Sequence, residues 1–103
     1  MKSRYQIQFD YQNAISQASK LDHLADRIER QVVRRMEDVA QDLHAAWKSE
    51  SASQYIQKEQ ALSDRIRDTA RELRDTGEDI RRVAKRMYDA EMHALRIAQE
   101  RKS

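Results

Sequence analysis

The stretch Trp47-Lys48-Ser49-Glu50-Ser51-Ala52-Ser53 lies at the midpoint of the chain and separates two long amphipathic segments. The chain has no proline and one glycine, so few other positions can interrupt a helix. The pattern Ser51-x-x-Gln54 is a capping box, which satisfies the first free N–H groups of a helix and so marks a helix start. The sequence therefore predicts an all-α fold, an antiparallel two-helix hairpin that turns at residues 48–51.

Both segments beside this turn carry apolar residues at spacings of three and four, the period of an amphipathic helix. The first segment predicts a helix over residues 11–47. The second predicts a helix over residues 52–98, followed by a polar tail at residues 99–103. Each apolar stripe covers about half of its helix, which is wider than the seam of a two-stranded coiled coil.

Residues 1–10 have a different pattern. Tyr5, Ile7 and Phe9 alternate with glutamines, and this period of two predicts a short extended arm. Asp10 is a residue type that commonly caps the first turn of a helix. We therefore expect an arm over residues 1–10 and the first helix after it, all within a single domain of residues 1–103.

An antiparallel hairpin that turns near Ser49 pairs positions whose numbers sum to about 99. This register places Leu21 opposite Gly77, which gives the only glycine of the chain a packing role. Two helices cannot cover two such wide apolar stripes, so we expect a four-helix bundle formed with a second copy or with a partner. The predicted hairpin and partner interface comprises Leu21, Leu24, Ile28, Val32, Met36, Val39, Leu43, Leu62, Ile66, Leu73, Gly77 and Ile80.

Composition weighs against several classes of function. The 103 residues contain no cysteine, and their 20 basic and 18 acidic residues are interleaved, which does not favour nucleic acid as a partner. The three histidines are too far apart to form a local metal motif. We predict no catalytic residue, no cofactor, no metal and no membrane insertion. Glu59 and Glu91 fall within the second apolar stripe and are predicted to be solvated carboxylates at its edge.

The turn also resembles a known motif. Trp47, Ser49, Ala52 and Tyr55 stand at the spacings of the Trp-x-Gly signature of the WXG family of type VII secretion, with serine in place of the glycine. The resemblance covers nearly the whole chain. It implies a helical hairpin that forms homodimers or heterodimers, binds the secretion machinery and leaves the bacterial cytoplasm without a signal peptide.

The C-terminal export signal of that family, Tyr-x-x-x-Asp/Glu, is not matched. The fourth residue after Tyr88 is Met92, and the acidic Glu91 is the third. A hairpin without this signal resembles the WXG-like targeting partners that bind the helical LXG domain of type VII toxins and help to present it for export. Two alternatives stay open, a self-sufficient secreted WXG homodimer and a generic coiled-coil adaptor unrelated to secretion.

Overall fold

The computed structural model of the protein describes residues 1–46 and 50–102. Helix α1 is Arg4–Arg27, a π-helical segment follows at Ile28–Val33, α2 is Arg34–Ala46 and α3 is Glu50–Lys102. The predicted all-helical fold class is confirmed, and the two long helical stretches are consistent with a helical hairpin. Residues 47–49 lie outside the described residues, and they include the first two residues of the turn predicted at 48–51. Assembly into a four-helix bundle stays a prediction.

The chain forms two compact units, and in each of them an early segment packs against a segment of α3. The first unit is Met1–Leu21 with Asp75–Ser103, and the second is Asp22–Arg74. In the first unit the rings of Tyr11 and Tyr88 have centroids 5.0 Å apart. In the second unit the Ser63 hydroxyl lies 3.9 Å from the Met36 sulfur. Both pairs have numbers that sum to 99, in agreement with the predicted antiparallel register.

Small residues at intervals of seven form the buried seam of these helices. On α3, four consecutive positions of one heptad register are buried, and none is larger than serine. Small side chains let two helix axes approach closely, because the interaxial distance depends on the side chains at the contact. The seam residues of α3 are Ser63, Ala70, Gly77 and Ala84, and those of the earlier helices are Ala18, Ala25, Val33 and Ala40.

The π-helical segment explains an irregular step in this seam. Ala18 and Ala25 are seven residues apart, as are Val33 and Ala40, but Ala25 and Val33 are eight apart. The Ile28–Val33 segment bridges the eight-residue step. A π turn holds one residue more than an α turn, so it absorbs the additional residue and returns the following positions to the same face.

The prediction of an extended arm over residues 1–10 was wrong, because α1 already begins at Arg4. The Gln6 backbone N–H donates to the Ser3 hydroxyl at 3.1 Å, so Ser3 performs the capping that was assigned to Asp10. Tyr5 and Phe9 are one helical turn apart and their rings stack with centroids at 6.3 Å. The alternating aromatics therefore form an i,i+4 pair on a helix.

Helix α3 also exceeds its predicted bounds of 52–98 at both ends. It begins at Glu50, so Ser51 lies inside the helix and does not precede its first turn. At the other end the helix continues to Lys102, where a polar tail had been predicted. Glutamine, glutamate, arginine and lysine all favour helix, and Arg101 and Lys102 place positive charge beside the negative C-terminal end of the helix dipole.

Gly77 provides a test of the seam. It is buried and has no positive φ, so its role here is to be small. We expect Gly77→Leu to destabilise the protein by about 1–3 kcal/mol through overpacking. Gly77→Ala should be neutral or slightly stabilising, because alanine favours helix and already occupies the neighbouring seam positions Ala70 and Ala84. Thermal melts of both variants compare the two effects, and equal small effects would contradict a buried seam at Gly77.

Candidate protein-interaction surface

One edge of the second unit is closed by ion pairs between its helices. The Arg74 guanidinium donates to Glu29 Oε1 at 2.6 Å and to Asp26 Oδ1 at 2.8 Å. Seven residues before Arg74 on α3, Arg67 forms an ion pair with Glu37. We call these five side chains the ionic edge. They connect α3 to the segment that runs from α1 to α2, and their charges are largely matched.

These ion pairs change the acidity of the groups involved. The Arg74 guanidinium holds the pKa values of Asp26 and Glu29 below their ordinary values of 3.8 and 4.5, chiefly by hydrogen bonding to each carboxylate. The two carboxylates in turn raise the pKa of Arg74. All three side chains are more than a third exposed, so water weakens the attraction between them.

The opposite character is found at a second edge of the same unit, where large apolar side chains are exposed. Val39 and Tyr55 are each 57% exposed and Leu62 is 50% exposed. These three line a groove of about 390 Å³ together with Met36 and with the cationic side chains of Arg35 and Lys58. We use the name apolar edge for five exposed apolar residues of this unit, Leu24, Val32, Val39, Tyr55 and Leu62.

The apolar edge follows directly from the seam. Each of its residues immediately precedes a position of the seam register: Leu24 precedes Ala25, and Leu62 precedes Ser63. One residue turns an α-helix by 100°, so a side chain just before a buried position lies at the border of the contact. Because this holds on both helices, the exposed apolar residues recur at the spacing of the seam.

Glu59 lies on the floor between two grooves. It lines the groove beside the apolar edge and also a larger one of about 610 Å³ on the side of Glu37 and His44. Its Oε1 accepts a hydrogen bond from the Ser63 hydroxyl at 3.3 Å, while its Oε2 is buried and has no hydrogen-bond partner among residues 1–46 and 50–102. The prediction of a solvated edge carboxylate was therefore wrong for Glu59. A carboxylate oxygen in this position is suited to a donor from a binding partner.

Glu91 was also predicted to be solvated, and it is instead held by the N-terminal segment within the first unit. The Lys2 ammonium lies 3.4 Å from Glu91 Oε1 and 2.9 Å from Asp10 Oδ2. These contacts raise the pKa of Lys2, with Asp10 the larger cause. Tyr88, three residues earlier, packs on Tyr11. Two residues of the predicted C-terminal signal thus make contacts inside this unit, and Met92 is half-buried beside them.

The structure divides the predicted interface residues by exposure. Gly77 is buried and seven others are half-buried, while Leu24, Val32, Val39 and Leu62 are the exposed ones. Of the turn motif, Ala52 is buried and Tyr55 is exposed; Trp47 and Ser49 lie outside the described residues. Arg35 and Lys58 were not among the predicted interface residues, although each lies two residues after a position of the seam register, beside the apolar edge. The half-buried residues are Leu21, Ile28, Met36, Leu43, Ile66, Leu73 and Ile80.

No family model, curated protein or solved structure matches this chain. The WXG resemblance of the turn stays a prediction. Within the described ranges, no three or more histidine, aspartate or glutamate side chains group closely enough to hold a metal ion. None of the helices described there has the length and apolarity that crossing a membrane requires.

The ionic edge predicts a specific acid dependence. Because the folded pKa values of Asp26 and Glu29 are lowered, the stability that they contribute is complete above about pH 4.5 and is lost as the pH falls through those lowered values. Arg74→Gln should therefore lower the melting temperature at neutral pH and have a smaller effect in acid, where both carboxylates become protonated. Melting temperatures across this range measure the difference.

Arg71→Gln is the matched control for Arg74→Gln. Arg71 pairs only with Asp68 of its own helix among the ion pairs described, at 3.2 Å, and both side chains are well exposed. We expect this variant to change the melting temperature less than Arg74→Gln at neutral pH. If the two variants have the same effect at every pH, the ionic edge does not contribute in the way described.

Proposed function

We propose that this chain is a protein-binding helical module that acts through the apolar edge of its second unit. The exposure of Val39, Tyr55 and Leu62 around one groove carries this proposal. Three large apolar side chains left half-exposed at one site lose favourable burial unless another surface covers them. A partner helix is the natural complement, because grooves between packed helices accept an apolar helix face.

We further propose that the module serves bacterial type VII secretion as a WXG-like targeting partner, which binds the helical LXG domain of a toxin. This step is supported by the resemblance of Trp47, Ser49, Ala52 and Tyr55 to the Trp-x-Gly turn and by the long helices on both sides of it. In this proposal the chain resides in the cytoplasm before export and leaves with its partner. It binds protein and has no catalytic role.

A self-sufficient secreted homodimer is the second candidate within the same family. It would use the same apolar edge, but it would need an export signal of its own after Tyr88. Met92 stands where the export signal has an acid, and this difference favours a chain that depends on a partner for export. A coiled-coil adaptor outside secretion would share the apolar edge and would have no dependence on Met92.

Association through the apolar edge predicts the state of the purified protein. The chain should sediment as a dimer or larger species, or should become well folded only with a partner, because the edge is otherwise left in water. Leu62→Lys should weaken association, while Gln57→Lys adds the same charge at an exposed polar position and should not. A monomer that melts cooperatively at low micromolar concentration and binds no apolar helix would contradict the proposal.

Export separates the targeting partner from the secreted homodimer. The wild-type chain should leave the cell poorly by itself and efficiently when a partner that carries an intact signal is co-expressed. Met92→Asp restores the acid of the signal and should reduce this dependence. Blots of culture supernatants with and without the partner measure both effects. Efficient export of the unaccompanied wild-type chain would support the self-sufficient homodimer instead.

A further inference from the structure

We propose that the apolar edge binds an amphipathic helix with acidic flanks, and that this helix belongs to a partner other than a second copy of this chain. The inference rests on the proposed function, because it specifies the chemistry of the partner that the edge accepts. It is carried by positive side chains that lie beside the apolar edge on both helices and that have no counterion in the part of the chain that the structure describes.

Arg35 and Lys58 enter the groove from opposite helices. Arg27 precedes Arg35 by eight residues across the π-helical segment, and Arg65 follows Lys58 by seven, so each shares the helix face of its neighbour. All four side chains are exposed. None of them forms an ion pair with another residue in the ranges 1–46 and 50–102, in contrast to the arginines of the ionic edge. We call these four residues the basic flanks.

A second copy of the chain is a poor complement to this surface. Asp42 lies seven residues after Arg35, and Glu72 lies seven residues after Arg65, so these carboxylates continue the same helix faces. The six charged residues at these positions are four cations and two carboxylates, and Glu59, which lines the same groove, brings the net charge to +1. Two identical edges that face each other bring like net charges together, which opposes association. Acidic flanks on a different helix would instead neutralise the four cations.

The shape of the edge favours a helix over other anionic surfaces. The exposed apolar residues of the first helical stretch run from Leu24 to Val39, which corresponds to about 23 Å or four helical turns. The groove beside them is a concave space between two helices, whereas a flat membrane surface is best met by a convex or planar apolar face. Its apolar lining by Met36, Val39 and Leu62 is suited to the apolar face of a helix.

Two synthetic peptides of about 20 residues test the proposal, each with the same leucine and alanine stripe. One peptide carries glutamate on both sides of the stripe and the other carries lysine. Fluorescence anisotropy of the labelled peptides, titrated with the full chain, gives their dissociation constants. We expect the glutamate peptide to bind at least about tenfold more tightly at low salt, with a preference that shrinks as salt screens the charges.

Charge reversal locates the effect. Arg35→Glu combined with Lys58→Glu should remove or invert the preference for the glutamate peptide. Arg34→Glu combined with Arg71→Glu makes the same change of charge at exposed positions that do not line the groove, and should leave the preference in place. Circular dichroism of each variant verifies that the helices are retained. The salt dependence of the wild-type chain tests the proposal without any variant.

Several outcomes would overturn this inference, and they differ in what they imply for the proposed function. Equal binding of both peptides would remove the charge selection and leave a protein-binding apolar edge. If neither peptide binds while the chain self-associates in sedimentation, the occupant is a second copy. Tighter binding to short DNA or to phosphatidylserine vesicles would identify a different class of partner. If neither peptide binds and the chain is a stable monomer, the proposed function fails as well.

Discussion

The close approach of two helices along a seam of small residues is the constraint on which the rest of this structure depends. Ser63, Ala70, Gly77 and Ala84 repeat at every seventh residue of α3, and each is buried. Small side chains fill little volume, so a seam made of them buries little apolar surface and gains limited hydrophobic free energy. Large apolar residues flank the seam instead: most of those three positions after a seam residue are half-buried, and those one position before it are exposed. Association through these exposed residues would supply the burial that the seam does not.

The two edges of the second unit show how this constraint separates stability from recognition. At the ionic edge, Arg74 and Arg67 connect the helices through exposed pairs, each of which contributes modestly. Beside the apolar edge, Arg35 and Lys58 form no ion pair with any residue in the ranges 1–46 and 50–102. Charge that is matched inside a fold sets the register of its helices, whereas unmatched charge beside an apolar groove selects what can bind there.

The sequence predicted the parts of this fold that depend on period and size. The spacings of three and four gave the two helical stretches, and the register that sums to 99 agrees with the contacts of Met36 with Ser63 and of Tyr11 with Tyr88. The π-helical segment was missed, although the eight-residue step from Ala25 to Val33 signals it. The alternation of Tyr5, Ile7 and Phe9 was misassigned because a period of two over three residues fits a strand, whereas on the observed helix Tyr5 and Phe9 share an exposed face and Ile7 is buried on the opposite one.

The sequence predicted that some apolar residues stay exposed for a partner, but it did not predict which ones. Apolar stripes as wide as half a helix imply that some apolar residues stay exposed, but the stripe alone does not identify which of them the first partner helix covers. That choice depends on the seam, because the small residues fix which direction on each helix points inward. Once Ala40 and Ser63 are known to be buried, Val39 and Leu62 must lie at the border, and Arg35 and Lys58 beside them.

The N-terminal contacts of the first unit bear on how the C-terminal residues could be recognised. Lys2 holds Glu91, and Tyr11 packs on Tyr88, so the side chains of the degenerate signal are partly occupied by the fold itself. Met92 follows directly after Glu91 and is half-buried. A receptor that reads this face therefore meets a surface whose charge is set by the N-terminal segment as much as by α3.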